Sequence, residues 1–126
     1  MIIAVDFDGT LVSHEYPEIG KPYDDVFKLC ITLKSMGHEL ILFTCREDYI
    51  CGRPLLSDAV SFCNKKGLFF DAVNENLERH KNMGILCRKP VWDILIDDTA
   101  GFEPSKWADI LDTVLNKKTY INSIDI

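Results

Sequence analysis

Four short apolar runs constrain the fold more than any other feature of this chain. They are residues 1–5 (MIIAV), 39–43 (ELILF), 68–73 (LFFDAV) and 91–96 (VWDILI). Each is too short for a buried helix and rich in β-branched or aromatic residues, so each reads as a buried strand. Segments with helical spacing lie between and after them. Residues 23–36 carry Val26, Phe27, Cys30, Ile31 and Leu33, with Asp24 and Asp25 suited to a first turn and Gly37 to an end. Residues 55–66 carry Leu56, Ala59, Val60, Phe62 and Cys63 before Gly67, and residues 104–116 carry Trp107, Ile110, Leu111, Val114 and Leu115. Strands alternating with helices predict an α/β domain: a Rossmann-like, doubly wound, mostly parallel sheet covered on both faces. With 126 residues and no linker, the whole span 1–126 reads as one domain. Residues 12–22 read as a loop or small flap, 74–88 as irregular, and Tyr120-Ile121 as a short edge strand.

Charge and cysteine usage narrow the functional classes. The net charge of −6 disfavours nucleic acid and anionic membranes as partners. Five cysteines (Cys30, Cys45, Cys51, Cys63 and Cys87) form no C-x-x-C pair, and their number is odd. They predict reduced, mostly buried thiols, hence a cytoplasmic setting. Asp6 interrupts the first apolar run too early for a secretory leader, and no stretch is long enough to span a bilayer.

Polar residues of particular kinds end three of the four runs. Asp6 and Asp8 follow the first, Thr44 the second, and Asp97 and Asp98 the fourth. Parallel strands bring these ends to one edge of the sheet, where open α/β sheets bind ligands. Turn formation is the simpler use of each pair taken alone, since Asp and Gly are ordinary turn residues. Yet carboxylates crowded at a sheet edge repel one another and lose hydration, and a cation relieves both costs.

The arrangement resembles the haloacid dehalogenase (HAD) superfamily. Asp6-Phe7-Asp8-Gly9-Thr10 matches its D-x-D-G-T signature, Thr44 its hydroxyl after the second strand, Lys89 its lysine ahead of the fourth, and Asp97-Asp98 its acidic pair. The match runs in order from Met1 to about Gly101. The resemblance implies a Mg²⁺-dependent phosphomonoester hydrolase. Asp6 would be the nucleophile that forms an aspartyl-phosphate, and Asp8 the general acid and base, with its carbonyl on the metal. Asp6, Asp8, Asp97 and Asp98 would form the metal site, an all-oxygen set suited to Mg²⁺. Thr44 and Lys89 would bind the phosphoryl group, with Lys81 a rival for the lysine's role, while Gly9 admits the phosphate and Thr10 supports the loop.

Most members of that superfamily carry a cap domain, and the gaps here leave no room for one, so the chain resembles the capless branch. A capless site needs cover from elsewhere. The substrate supplies it if it is a phosphorylated macromolecule. A neighbouring subunit of a homo-oligomer supplies it if the substrate is a small molecule. Residues 13–20 serve as partial cover in either case. A T-x-R after the second strand and I-D-D after the fourth also resemble a small group of capless members. Two alternatives use the same residues: a non-catalytic module binding metal or phosphate, and a phosphotransferase to an alcohol acceptor. Arg46 reads either as a substrate contact or as a partner of Glu47 or Asp48. Asn74, Glu75 and Asn76 read as a turn, and His14, His38 and His80 as surface residues. Cys45, beside Thr44, is a candidate site of inhibitory oxidation.

Overall fold

Side-chain acceptors, as much as apolar length, decide where the strands begin. The computed structural model describes residues 1–49 and 51–117; the expected strand at Tyr120-Ile121 lies outside them. The strands are β1 (Ile2–Val5), β2 (Glu39–Leu42), β3 (Ala72–Val73) and β4 (Ile94–Ile96). The run at 68–73 yields only two strand residues. Asp71 turns its carboxylate onto the Leu40 N–H at 2.8 Å, which occupies a donor on the neighbouring strand. The run at 91–96 starts its strand late for a similar reason. The Val91 N–H donates to Asn76 Oδ1, and the Asp93 carboxylate accepts from the Ile2 N–H at 2.8 Å.

The four strands form one parallel sheet in the order β3-β2-β1-β4. From β1 the chain winds outward through β2 to β3, then returns to the opposite side of β1 for β4. That reversal opens a crevice at the carboxyl ends of β1 and β4, the position where doubly wound sheets bind ligands. Asp6 continues the ladder there, its N–H donating to the Ile96 carbonyl at 2.9 Å.

Register divides the side chains between two faces. Ile3 pairs with Leu40 and Ile94, and Val5 with Leu42 and Ile96. These six share one face and one core with Val26, Phe27, Cys30 and Leu33 of α1 (Asp24–Ser35), Ala59 and Cys63 of α2 (Leu55–Lys65), and Val114 of α4 (Ala108–Asn116). Burying each large aliphatic side chain contributes roughly 1.5–3 kcal/mol before entropy is counted. The other face is covered more thinly. Ile2 and Ile41 meet Leu77, Val91 and Trp92, from the 74–93 segment that contains the short helix α3 (Glu78–Asn82). The α/β fold class agrees with the sequence reading; the two faces are unequally covered.

Some burial expectations change. Cys30 and Cys63 are buried, but Cys45, Cys51 and Cys87 are exposed. His80 is fully buried in α3 rather than at the surface. Among the described residues no helix is long and apolar enough to cross a membrane.

Candidate active site

Three carboxylates meet at the β1–β4 crevice. Asp6, Asp97 and Asp98 each offer a ligand oxygen, and these atoms lie within 4.8 Å of one another. Local backbone fixes two of them. Asp97 precedes a single 3₁₀ turn (Asp98–Ala100) and accepts from the Thr99 N–H at 2.8 Å and the Thr99 hydroxyl at 2.7 Å, both on Oδ1. Its Oδ2 is left for other use. The Asp98 N–H donates to the hydroxyl of the fully buried Thr10, which stands 3.3 Å from Asp6 Oδ2 and 3.4 Å from Asp98 Oδ1. One hydroxyl proton thus serves two carboxylates and cannot satisfy both together. Gly9 is required by the same crowding. Its φ of +84° belongs to the left-handed region, and a Cβ there would stand 2.3 Å from Asp98 Oδ2.

Crowding changes the proton affinity of Asp6. Burial, followed by the charges of Asp97 and Asp98 and the hydrogen bond from Asp98, pushes its pKa up to about 7, against a smaller lowering by the Phe7 backbone N–H. An all-oxygen donor set of mutually repelling carboxylates suits a hard divalent cation.

Asp8 faces a different partner. Its carboxylate is held by Arg46, with Nε on Oδ2 and Nη2 on Oδ1, both at 2.8 Å. The Arg46 side chain is 1% exposed and that of Asp8 12%. The other guanidinium N–H groups go to the carbonyls of Pro17 and Leu55 (both 3.3 Å) and of Glu18 (3.0 Å). All five guanidinium donors are therefore used within the protein. The guanidinium also lies 5.0 Å from the Phe7 ring centre and 5.2 Å from that of Tyr16. Arg46 thus ties the D-x-D loop, the flap and the start of α2 together. It pairs with neither Glu47 nor Asp48; Asp48 instead accepts from the Ser57 N–H and hydroxyl. The side chain of Asp8 stands outside the three-carboxylate cluster. The guanidinium fork thus holds the Asp8 carboxylate apart from those three; the Asp8 group that the resemblance assigns to the metal is its main-chain carbonyl.

The flap spans residues 13–21. Reciprocal backbone and side-chain bonds close its neck, Ser13 N–H to Lys21 carbonyl and Lys21 N–H to Ser13 Oγ, both 2.8 Å. It brings His14 and Tyr16 to a cleft of about 350 Å³ lined also by Asp6, Asp8, Thr44, Cys45, Arg46, Asp97, Asp98 and Thr99. His14 is consequently a cleft residue, which its sequence context did not suggest.

Thr44 stands at the cleft with its hydroxyl oxygen accepting from the Arg46 N–H at 3.2 Å, so its proton remains available to a ligand. Asn74, in the left-handed region at φ 54°, accepts from the Thr44 N–H at 2.8 Å. Asn76 bridges the Ile85 carbonyl and the Val91 N–H. Both asparagines hold loops together, as turn residues do. Neither candidate lysine lines the cleft. Lys81 pairs with Glu75 and Glu78. Lys89 is exposed, its ammonium 4.9 Å from the Trp92 ring centre, and Trp92 packs on Phe43. The structure therefore brings Asp6, Asp8, Thr44, Asp97 and Asp98 together and leaves Lys89 on the flank.

A solved structure described as the structure of a conserved protein coded by a locus from Bacteroides thetaiotaomicron is similar along nearly the whole chain. The TM-score is 0.79 and the sequences are 36% identical, over 95% of this chain and 93% of the other. No protein-family model and no curated protein matches the chain.

Arg46→Ala is expected to cost about 3–5 kcal/mol in denaturant unfolding, because it leaves the Asp8 charge buried without its partner; a cost below about 1 kcal/mol would show that the fork is dispensable. Asp6 gives a pH signature. Its raised pKa means that the folded state holds a proton the unfolded chain releases, so its contribution to metal-free stability falls as pH rises from about 3.8 to about 7. A divalent cation competes with that proton. The Mg²⁺-induced rise in melting temperature is therefore expected to be larger at pH 8 than at pH 5, and an equal rise at both would contradict the clustering. Lys89→Met is expected to change any phosphatase turnover by less than about threefold; a loss of roughly a hundredfold would instead place its ammonium on the phosphoryl group.

Proposed function

The chain belongs to one family with that conserved protein from Bacteroides thetaiotaomicron, and we propose that it is a Mg²⁺-dependent phosphomonoester hydrolase of the HAD type that works through an aspartyl-phosphate on Asp6. The observation that carries this reading is the convergence of Asp6, Asp97 and Asp98 beside Thr44 in one cleft. Turn formation alone accounts for Asp97, which caps the turn after β4. It does not account for Asp6, which is held against two like charges at the end of the central strand.

Asp6, Asp97 and Asp98 are the side chains that would hold the ion. Bound Mg²⁺ would supply positive charge that offsets the repulsion which makes phosphate esters slow to hydrolyse. The chain's own groups do the rest. An Asp6 carboxylate oxygen attacks phosphorus, and the ester P–O bond breaks. For this step Asp8 must carry a proton, held on a lone-pair position that the Arg46 fork leaves open, and it gives that proton to the departing alcohol oxygen. Water then attacks the aspartyl-phosphate and gives its proton to Asp8, the bond between Asp6 and phosphorus breaks, and phosphate leaves. The Thr44 hydroxyl donates a hydrogen bond to a phosphoryl oxygen. Gly9 lets the loop backbone come close to the phosphate, as loops that cradle phosphates require.

Asp6→Asn removes the nucleophile while keeping the volume of the side chain. Turnover of an aryl phosphate such as p-nitrophenyl phosphate is expected to fall roughly a thousandfold or more, with the circular dichroism spectrum unchanged. EDTA is expected to abolish wild-type turnover and added Mg²⁺ to restore it. Retention of wild-type rates by Asp6→Asn would overturn the assignment.

A further inference from the structure

The charge balance of the cleft points to a class of substrate. Its ten lining residues include four aspartates and a single lysine or arginine, Arg46. That guanidinium has no donor left for a ligand, since each N–H is bonded inside the protein. The nearby cations are turned elsewhere. Arg53 is paired to Glu18 and, with Lys65, lines a second hollow that shares Arg46 with the cleft. Lys89 lies on Trp92 and Lys81 between two glutamates. Even with one divalent cation bound, the acidic side chains outnumber the positive charges. What remains to meet a leaving group is two rings on the flap, those of His14 and Tyr16, with Cys45 and Thr99. Tyr16 is 42% exposed, and its ring lies against the Arg46 guanidinium, which holds it in place at the cleft.

We propose that the cleft selects small phosphomonoesters whose leaving group is an uncharged, ring-bearing alcohol of the sugar or nucleoside type, packed against Tyr16 and His14, and rejects esters carrying a second anionic group. The proposal rests on the phosphatase reading for its chemistry and its cation; its selectivity follows from the charges of the lining residues. The transferred phosphoryl group is the one anion that the cation and Thr44 compensate. A second phosphate or carboxylate on the substrate meets carboxylates and, among the described residues that line the cleft, no cation with a free donor, and like charges brought together in a cleft disfavour binding. Bisphosphates, phosphorylated nucleic-acid ends and acidic phosphopeptides all fall in the rejected class.

Matched pairs test it: glucose 1-phosphate against glucose 1,6-bisphosphate, and adenosine 5′-monophosphate against adenosine 3′,5′-bisphosphate, with Mg²⁺ at low ionic strength. The monophosphates are expected to show at least about tenfold higher kcat/KM, and the gap is expected to shrink in high salt. His14→Lys, which adds a cation to the flap, is expected to narrow the gap severalfold through KM. Tyr16→Leu is expected to raise KM for the nucleotide roughly fivefold or more, with Tyr16→Phe close to wild type. Bisphosphates used as well as monophosphates, or a gap indifferent to His14→Lys, would overturn the selection. Calorimetric titration of the same four compounds into the wild-type protein with Ca²⁺ in place of Mg²⁺, which keeps all four aspartates, separates the two levels. Preferential binding of monophosphates with no wild-type turnover would leave the selection standing and remove the phosphatase reading. Equal binding would remove the selection whatever the turnover, and no binding by any of the four would remove both.

Discussion

Three carboxylates held within 4.8 Å of one another at the end of the central strand are the constraint on which the site turns. Their mutual repulsion opposes folding, and the chain contains features that hold them in place against it. The parallel ladder fixes Asp6 through its N–H on Ile96. The turn after β4 fixes Asp97 through Thr99. Thr10 sits between Asp6 and Asp98, and Gly9 yields the space that Asp98 occupies. The residual cost is visible in the proton affinity of Asp6, raised to about 7. On the proposed reading, a cation would convert that cost into binding energy.

Arg46 is the second fixed point, and it solves a different problem. The D-x-D loop, the flap and the start of α2 are irregular segments, each with carbonyls that need donors once buried. One guanidinium serves all three and neutralises Asp8 as well. The result is a cleft whose wall is assembled without a cap domain. Its roof is a short flap held from beneath, and among the described residues that line the cleft Arg46 is the one lysine or arginine.

The strand ends were legible because the change from apolar to polar residues falls at the same edge of every parallel strand. Asp6, Thr44 and Asp97 follow from that rule alone. The partnership of Arg46 with Asp8 was not legible, because it spans 38 residues, and sequence proximity favoured Glu47 and Asp48. The usable signal was an arginine two residues beyond a strand whose edge is shared with an acidic pair. Strand lengths were overestimated where Asp71 and Asp93 sit inside apolar runs and direct their side chains onto neighbouring backbone N–H groups. The unequal faces follow from handedness: right-handed crossovers put α1 and α2 on one side and leave the 74–93 segment to cover the other. Lys89 was singled out by the motif it matches and by the Lys-Pro step ahead of the fourth strand; its ammonium rests on Trp92.

Anomalous diffraction from crystals grown with Mn²⁺ in place of Mg²⁺ bears most directly on the cation. The account predicts one strong peak among Asp6, Asp97 and Asp98, with carboxylate oxygens at roughly 2.0–2.3 Å. A map with no peak there at millimolar Mn²⁺, or with its only peak elsewhere on the molecule, would contradict it.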